Sequence, residues 1–80
     1  VLEVVARRLK LPLGNDEFMW TREDEIAHVL PYNDRGKCDV FFRTVHYVTE
    51  RADGTVISQT CVTVQDTADN VIDACLRAQQ

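Results

Sequence analysis

The apolar positions of this chain change their period as the sequence is followed. Between Val1 and about Leu11, Leu2, Val5, Ala6 and Leu9 recur at helical spacing while Glu3, Arg7 and Lys10 fall elsewhere on the wheel, which predicts a helix over 1–11. Pro12 ends it, because the residue before a proline avoids the α region. Leu13-Gly14-Asn15-Asp16 then reads as a turn. Phe18, Met19 and Trp20 form a short apolar knot, and Thr21 stands where an N-cap is wanted. Glu23, Asp24 and Glu25 follow, favourable at the positive end of a helix. Ile26, Val29 and Leu30 make a narrow stripe and Pro31 closes it, so a second, short helix is expected over 21–30.

From Tyr32 to Lys37 the chain is a polar loop built on Asn33, Asp34 and Gly36, and after it the pattern becomes that of a strand. Residues 39–49 are dense in β-branched and aromatic side chains. Arg51-Ala52-Asp53-Gly54 carries the Asp-Gly hairpin signal, and 55–64 is the return strand. Asp66 or Thr67 caps a last helix over 67–79, whose stripe is Ala68, Val71, Ile72, Cys75 and Leu76. The expected fold is a single α+β domain over 1–80. Its order is α-α-β-β-α, with an antiparallel hairpin packed by helices and open to completion by a larger or dimeric sheet.

Both strands of that hairpin carry apolar residues on both faces, which predicts cover on each side. A two-stranded sheet is marginal in water and leaves open edges. These features point to a protein–protein interaction or assembly domain that extends its sheet through a second copy or another chain. The strand from Val40 to Thr49 is the expected contact, with Phe41, Val45 and Tyr47 along one side.

Composition narrows the alternatives. The chain has 80 residues and a formal net charge of −4, and its nine basic residues are spread along it apart from Arg7-Arg8-Lys10, which argues against nucleic acid. No apolar run approaches the ~20 residues of a membrane span, and the first residues are too charged for a signal-peptide core. The chain opens on Val1 rather than Met, as a piece of a longer protein would. Three cysteines, Cys38, Cys61 and Cys75, do not make a disulfide framework, and they read as reduced thiols in a cytoplasmic, reducing compartment. Glycines stand singly at 14, 36 and 54, so no phosphate loop exists, and no closely spaced ligand pair suggests a metal. A zinc site from His28, His46 and the cysteines would need the fold to assemble it. A Cys61–His46 pair across adjacent strands lacks an activating group. Helix capping explains Glu23-Asp24-Glu25 without a metal or acid–base role. Phe18-Met19-Trp20 is expected in the core, its exposure as a partner anchor being the other reading. No cofactor and no catalytic set is implied; a small subunit of an enzyme complex is the third functional reading.

The stretch from Phe41 to Ala78 resembles the start of a Ras-associating domain, a ubiquitin-like β-grasp family that binds active Ras-type GTPases. The resemblance is carried by the strand Phe42-Arg43-Thr44-Val45-His46-Tyr47, the turn Ala52-Asp53-Gly54-Thr55 and the strand Ile57 to Val64. The segment from Asp66 to Leu76, with Thr67-Ala68, Val71-Ile72 and Leu76, completes it. It implies a small GTPase as partner, with Arg43, Arg51 and Arg77 most like the family's basic contacts. The family's later strands have no counterpart after the helix, the second strand has no Lys or Arg, and a charge of −4 would slow association with an acidic partner.

Overall fold

The stretch expected as the first helix is an antiparallel hairpin. In the computed structural model, which describes residues 2–32, 36–45 and 47–80 (the side chains of Tyr47 and Thr49 excepted), β1 (Val4–Val5) turns back into β2 (Arg8–Gly14). β2 then pairs along its length with β3 (Glu17–Arg22), giving a sheet of order β1-β2-β3. The helical spacing of Leu2, Val5, Ala6 and Leu9 competes here with a strict alternation, Leu9-Lys10-Leu11-Pro12-Leu13, and the alternation prevails. Ala6 makes the first reversal with φ 54, a left-handed conformation that no residue type in Val5-Ala6-Arg7 announces. The second reversal is the expected turn, with Asn15 at φ 52 and Asp16 at φ 60, two residue types that tolerate positive φ and suit a two-residue hairpin. Pro12 sits inside β2 without breaking it. Its carbonyl accepts from Gln65 N–H at 2.8 Å, so its nitrogen, on the same side of the strand, faces away from β3 and the missing N–H costs that ladder nothing.

The second expected helix is also absent. Glu23–Glu25 form one 3₁₀ turn, and Ile26–Pro31 are a strand, β4, paired with β5 (Cys38–Phe42). A nine-residue amphipathic stretch has little helical stability of its own. Ile26 and Val29 half-bury themselves as a strand instead, beside an edge of β5 that would otherwise be unpaired. On its other edge β5 pairs with β8 (Cys61–Val64), in the register Cys38↔Val64 to Phe41↔Cys61. The α-α-β-β-α order is therefore corrected to two three-stranded antiparallel sheets, a separate strand pair and one C-terminal helix.

The long hairpin expected over 39–49 and 55–64 is real but interrupted. Pairing passes from Phe41↔Cys61 to Tyr47↔Gln59, so the first strand carries more residues across the gap than the second, and a bend at Arg43-Thr44 occupies it. Beyond the bend β6 (Tyr47–Glu50) and β7 (Val56–Gln59) form a two-stranded arm. Its Asp-Gly turn is as expected. Gly54 has φ 87, and Asp53 Oδ1 accepts from the Thr55 amide at 3.0 Å and its hydroxyl at 2.6 Å, which holds the Asp53 carboxyl below its ordinary pKa. Part of the loop expected over 32–37, residues 33–35, lies outside the described residues, as does His46.

The last helix, α1 (Ala68–Ala78), matches the sequence closely. Thr67 caps it, its hydroxyl accepting from Asn70 N–H at 3.2 Å, and Asp66 accepts from Thr67 N–H and Asn70 Nδ2. The helix is rotated from its simplest stripe, however: Val71, Ala74 and Ala78 are buried, while Ile72 and Leu76 are exposed. Those three close one core with Leu2, which precedes β1, with Leu9 and Leu11 of the first sheet, and with Cys38, Val40, Phe42, Val62 and Val64 of the second.

Candidate interaction surface

Alternation along β2 and β3 sorts their side chains onto two faces. Leu9↔Thr21 and Leu11↔Met19 point into the core. Arg8↔Arg22, Lys10↔Trp20 and Pro12↔Phe18 stand on the outer face, joined by Val5, which pairs with Arg8 across β1–β2. On this face Val5 is 55%, Phe18 54% and Trp20 46% exposed. The aromatic knot thus splits, Met19 turning inward and its neighbours outward, so the expectation of a core Trp20 is corrected and exposure is what the structure has.

The basic side chains here are not equivalent. Lys10 Nζ lies 4.2 Å from the centroid of the Phe18 ring and 3.8 Å from Glu3 Oε2. Arg22 pairs with Asp24 at 3.1 Å. Arg8 has no ion pair and no side-chain hydrogen bond among the described residues. Two shallow concavities meet at it: one of about 380 Å³ lined by Glu3, Val5, Arg8 and Trp20, and one of about 240 Å³ lined by Arg8, Trp20, Thr21, Arg22 and Glu25. The outer edge of β3 hydrogen-bonds to no other strand among the described residues.

A second, more polar cleft of about 420 Å³ lies where the β1–β2 turn, the 3₁₀ turn and α1 meet, lined by Arg7, Glu23, Asp24, Ile26, Arg43, Cys75 and Gln79. The buried Glu23 carboxylate accepts from Arg7 Nη2 and from Gln79 Nε2, the latter at 3.3 Å, and Glu23 N–H donates to Arg7 O at 3.0 Å. The Glu23 hydrogen bond and charge hold the Arg7 guanidinium above its ordinary pKa. This cluster ties three chain segments together and leaves little of its chemistry unspent.

Of the residues picked out from sequence, Phe41 lies in β5, half-buried and flanked by His28 and Cys61, so the contact strand expected over Val40–Thr49 has both edges occupied along Val40 and Phe41. Arg43 is at the bend, its Nε donating to Asp24 O at 3.0 Å and its amide to Glu25 O at 2.9 Å. Val45 is exposed in the link to the arm, and the Tyr47 backbone pairs with Gln59. Arg51 is exposed at the arm's turn. Arg77 donates to Asp73 at 3.0 Å and to Leu2 O at 2.9 Å. Arg43 and Arg77 are therefore spent on internal acceptors. Phe18 and Trp20 were named from sequence, but Arg8, Lys10 and Val5 were missed as their neighbours. The alternations Arg8 to Leu13 and Phe18 to Arg22, on either side of a recognised turn, were the available signal.

The thiols offer no activated nucleophile. Burial, aided by the charges of Asp66 and Asp39, pushes Cys38 up to about 11, and burial likewise raises Cys61, beside Asp39, and Cys75, beside Glu23. Among the described residues no group of three His, Cys, Asp or Glu could hold a metal ion, and no helix is long and apolar enough to cross a membrane. Comparison with protein-family models, curated proteins and solved structures found no match to this chain.

Proposed function

We propose that this domain is a protein–protein interaction module that receives an extended segment of another protein along the open edge of β3, with Trp20 and Phe18 as its anchors. The observation that carries the reading is a six-residue edge strand whose four central residues, Phe18 to Thr21, bear no charge and whose outward side chains are aromatic. Edge strands are usually blunted by proline, lysine or a covering loop. β3 has no proline or lysine within its span, its charges, Glu17 and Arg22, stand at its ends, and no described strand pairs with its outer edge. An added strand would draw main-chain hydrogen bonds from the edge and specificity from the side chains it sets beside Trp20.

A display library of linear sixteen-residue peptides, selected on the immobilised domain, tests this. Enriched peptides are expected to lose binding to Trp20→Ala and to protect from hydrogen exchange the amides of Phe18, Trp20 and Arg22, which face the open edge while those of Met19 and Thr21 face β2. Selections that yield no peptide dependent on Trp20 remove the reading.

A further inference from the structure

We infer that the segment received at β3 is acidic, and that Arg8 is the group that takes its carboxylate; this rests on the reading of β3 as a docking edge. Arg8 and Arg22 stand directly opposite one another in the β2–β3 register, an arrangement of like charges that costs stability in a sheet. Asp24 pairs with Arg22, whereas Arg8 makes no direct ion pair among the described residues, Glu3 and Glu25 lining the same concavities without contacting it. The cost persists in a chain whose overall charge is −4, where acidic residues are the more numerous and a partner for Arg8 would be easily supplied. The unspent guanidinium borders Trp20 in both concavities. A carboxylate on an incoming strand could accept two N–H bonds from Arg8 while the next outward side chain lies on the indole. An extended peptide puts alternate side chains on one face, so an acidic residue two positions from an apolar one matches the spacing of Arg22 and Trp20 along β3.

A single-stranded nucleic acid would also find aromatic rings and cations here. The peptide is favoured on two counts. The free N–H and C=O groups of β3 can pair with a peptide backbone, and Lys10 and Arg22 are already engaged by Glu3 and Asp24, which leaves one cation for a polyanion that needs several.

Trp20 is the chain's one tryptophan, so its fluorescence reports on the site in the native sequence and in Arg8→Gln, and titration calorimetry reads binding to Trp20→Ala. The probes are a peptide repeating Glu-Ser-Leu-Ser, which sets Glu and Leu alternately on one face, the same peptide with Gln for each Glu, and an oligothymidylate. The Glu peptide is expected to bind about tenfold or more tighter than the Gln peptide, with an advantage that shrinks in high salt and vanishes in Arg8→Gln. Equal binding of the two peptides, each lost in Trp20→Ala, overturns the acidic partner while leaving the docking edge intact. Oligothymidylate binding tighter than the Glu peptide overturns the peptide in favour of nucleic acid. Self-association by sedimentation equilibrium that Trp20→Ala abolishes, and that the Glu peptide does not displace, assigns the edge to a second copy instead. Retention of the Glu peptide's advantage in Arg8→Gln, with the circular dichroism of the variant unchanged, removes the role given to Arg8.

Discussion

On the inner face of the β2–β3 ribbon Leu9 and Leu11 are wholly shut off from solvent, and one residue along, on the outer face, Trp20 and Phe18 keep about half their surface in water. The same two strands thus hold together a core and present an exposed aromatic surface, separated by nothing more than the twofold period of the backbone. Under the proposed docking role, stability and recognition fall to different residues within a span of fifteen, 8–22, and each is expected to be alterable with limited effect on the other.

The largest expected effect comes from the inner face. Leu11→Ala removes a fully buried side chain and is expected to cost about 2–5 kcal/mol in urea unfolding. Trp20→Ala, on the outer face of the neighbouring strand, removes a half-buried ring and is expected to cost less, about 1–2 kcal/mol, while abolishing Trp20-dependent peptide binding. If the two substitutions destabilise equally, the separation of faces fails.

A titration probes the core from another direction. The Cys38 thiol stays protonated in the fold to about pH 11, whereas in the unfolded chain it ionises near its ordinary value. Its contribution to stability is whole below that ordinary value and is lost as pH rises through about 11. Urea midpoints measured between these limits are expected to fall more steeply for the native sequence than for Cys38→Ala. The arm should respond least. Val48→Thr and Val56→Thr change exposed side chains and are expected to leave stability within about 0.5 kcal/mol of the parent.

What could be read from the sequence was what is encoded locally. Thr67 at the head of α1 and Asp53-Gly54 at the tip of the arm act through bonds to residues two or three positions away, and both lie where expected. Leu2 to Leu9 could be read at two periods, and the residue that settles the choice, Ala6 in a left-handed conformation, carries no turn signature. β4 is a strand because β5, just beyond the loop at 32–37, offers an edge, a cause that residues 26–31 do not themselves display. The candidate surface was half legible for the same reason. Phe18 and Trp20 were conspicuous as residues, but their outward direction and their placement beside Arg8 follow from a pairing register with β2. Likewise Ile72 and Leu76 fit an apolar stripe, and the helix chose the small side chains Ala74 and Ala78 for its close approach to the sheets.

Arg77 Nη2 grips the carbonyl of Leu2, joining the helix to the segment that leads into β1. Translation makes these two partners far apart in time. The first ribbon leaves the ribosome while α1 is still unwritten, so Leu2, Leu9 and Leu11 have at most the second sheet as cover until Val71, Ala74 and Ala78 arrive to close the core. Chains stalled short of Ala68 should therefore be sticky and favoured clients of holding chaperones, and release of the helix should be the event that ends their dependence.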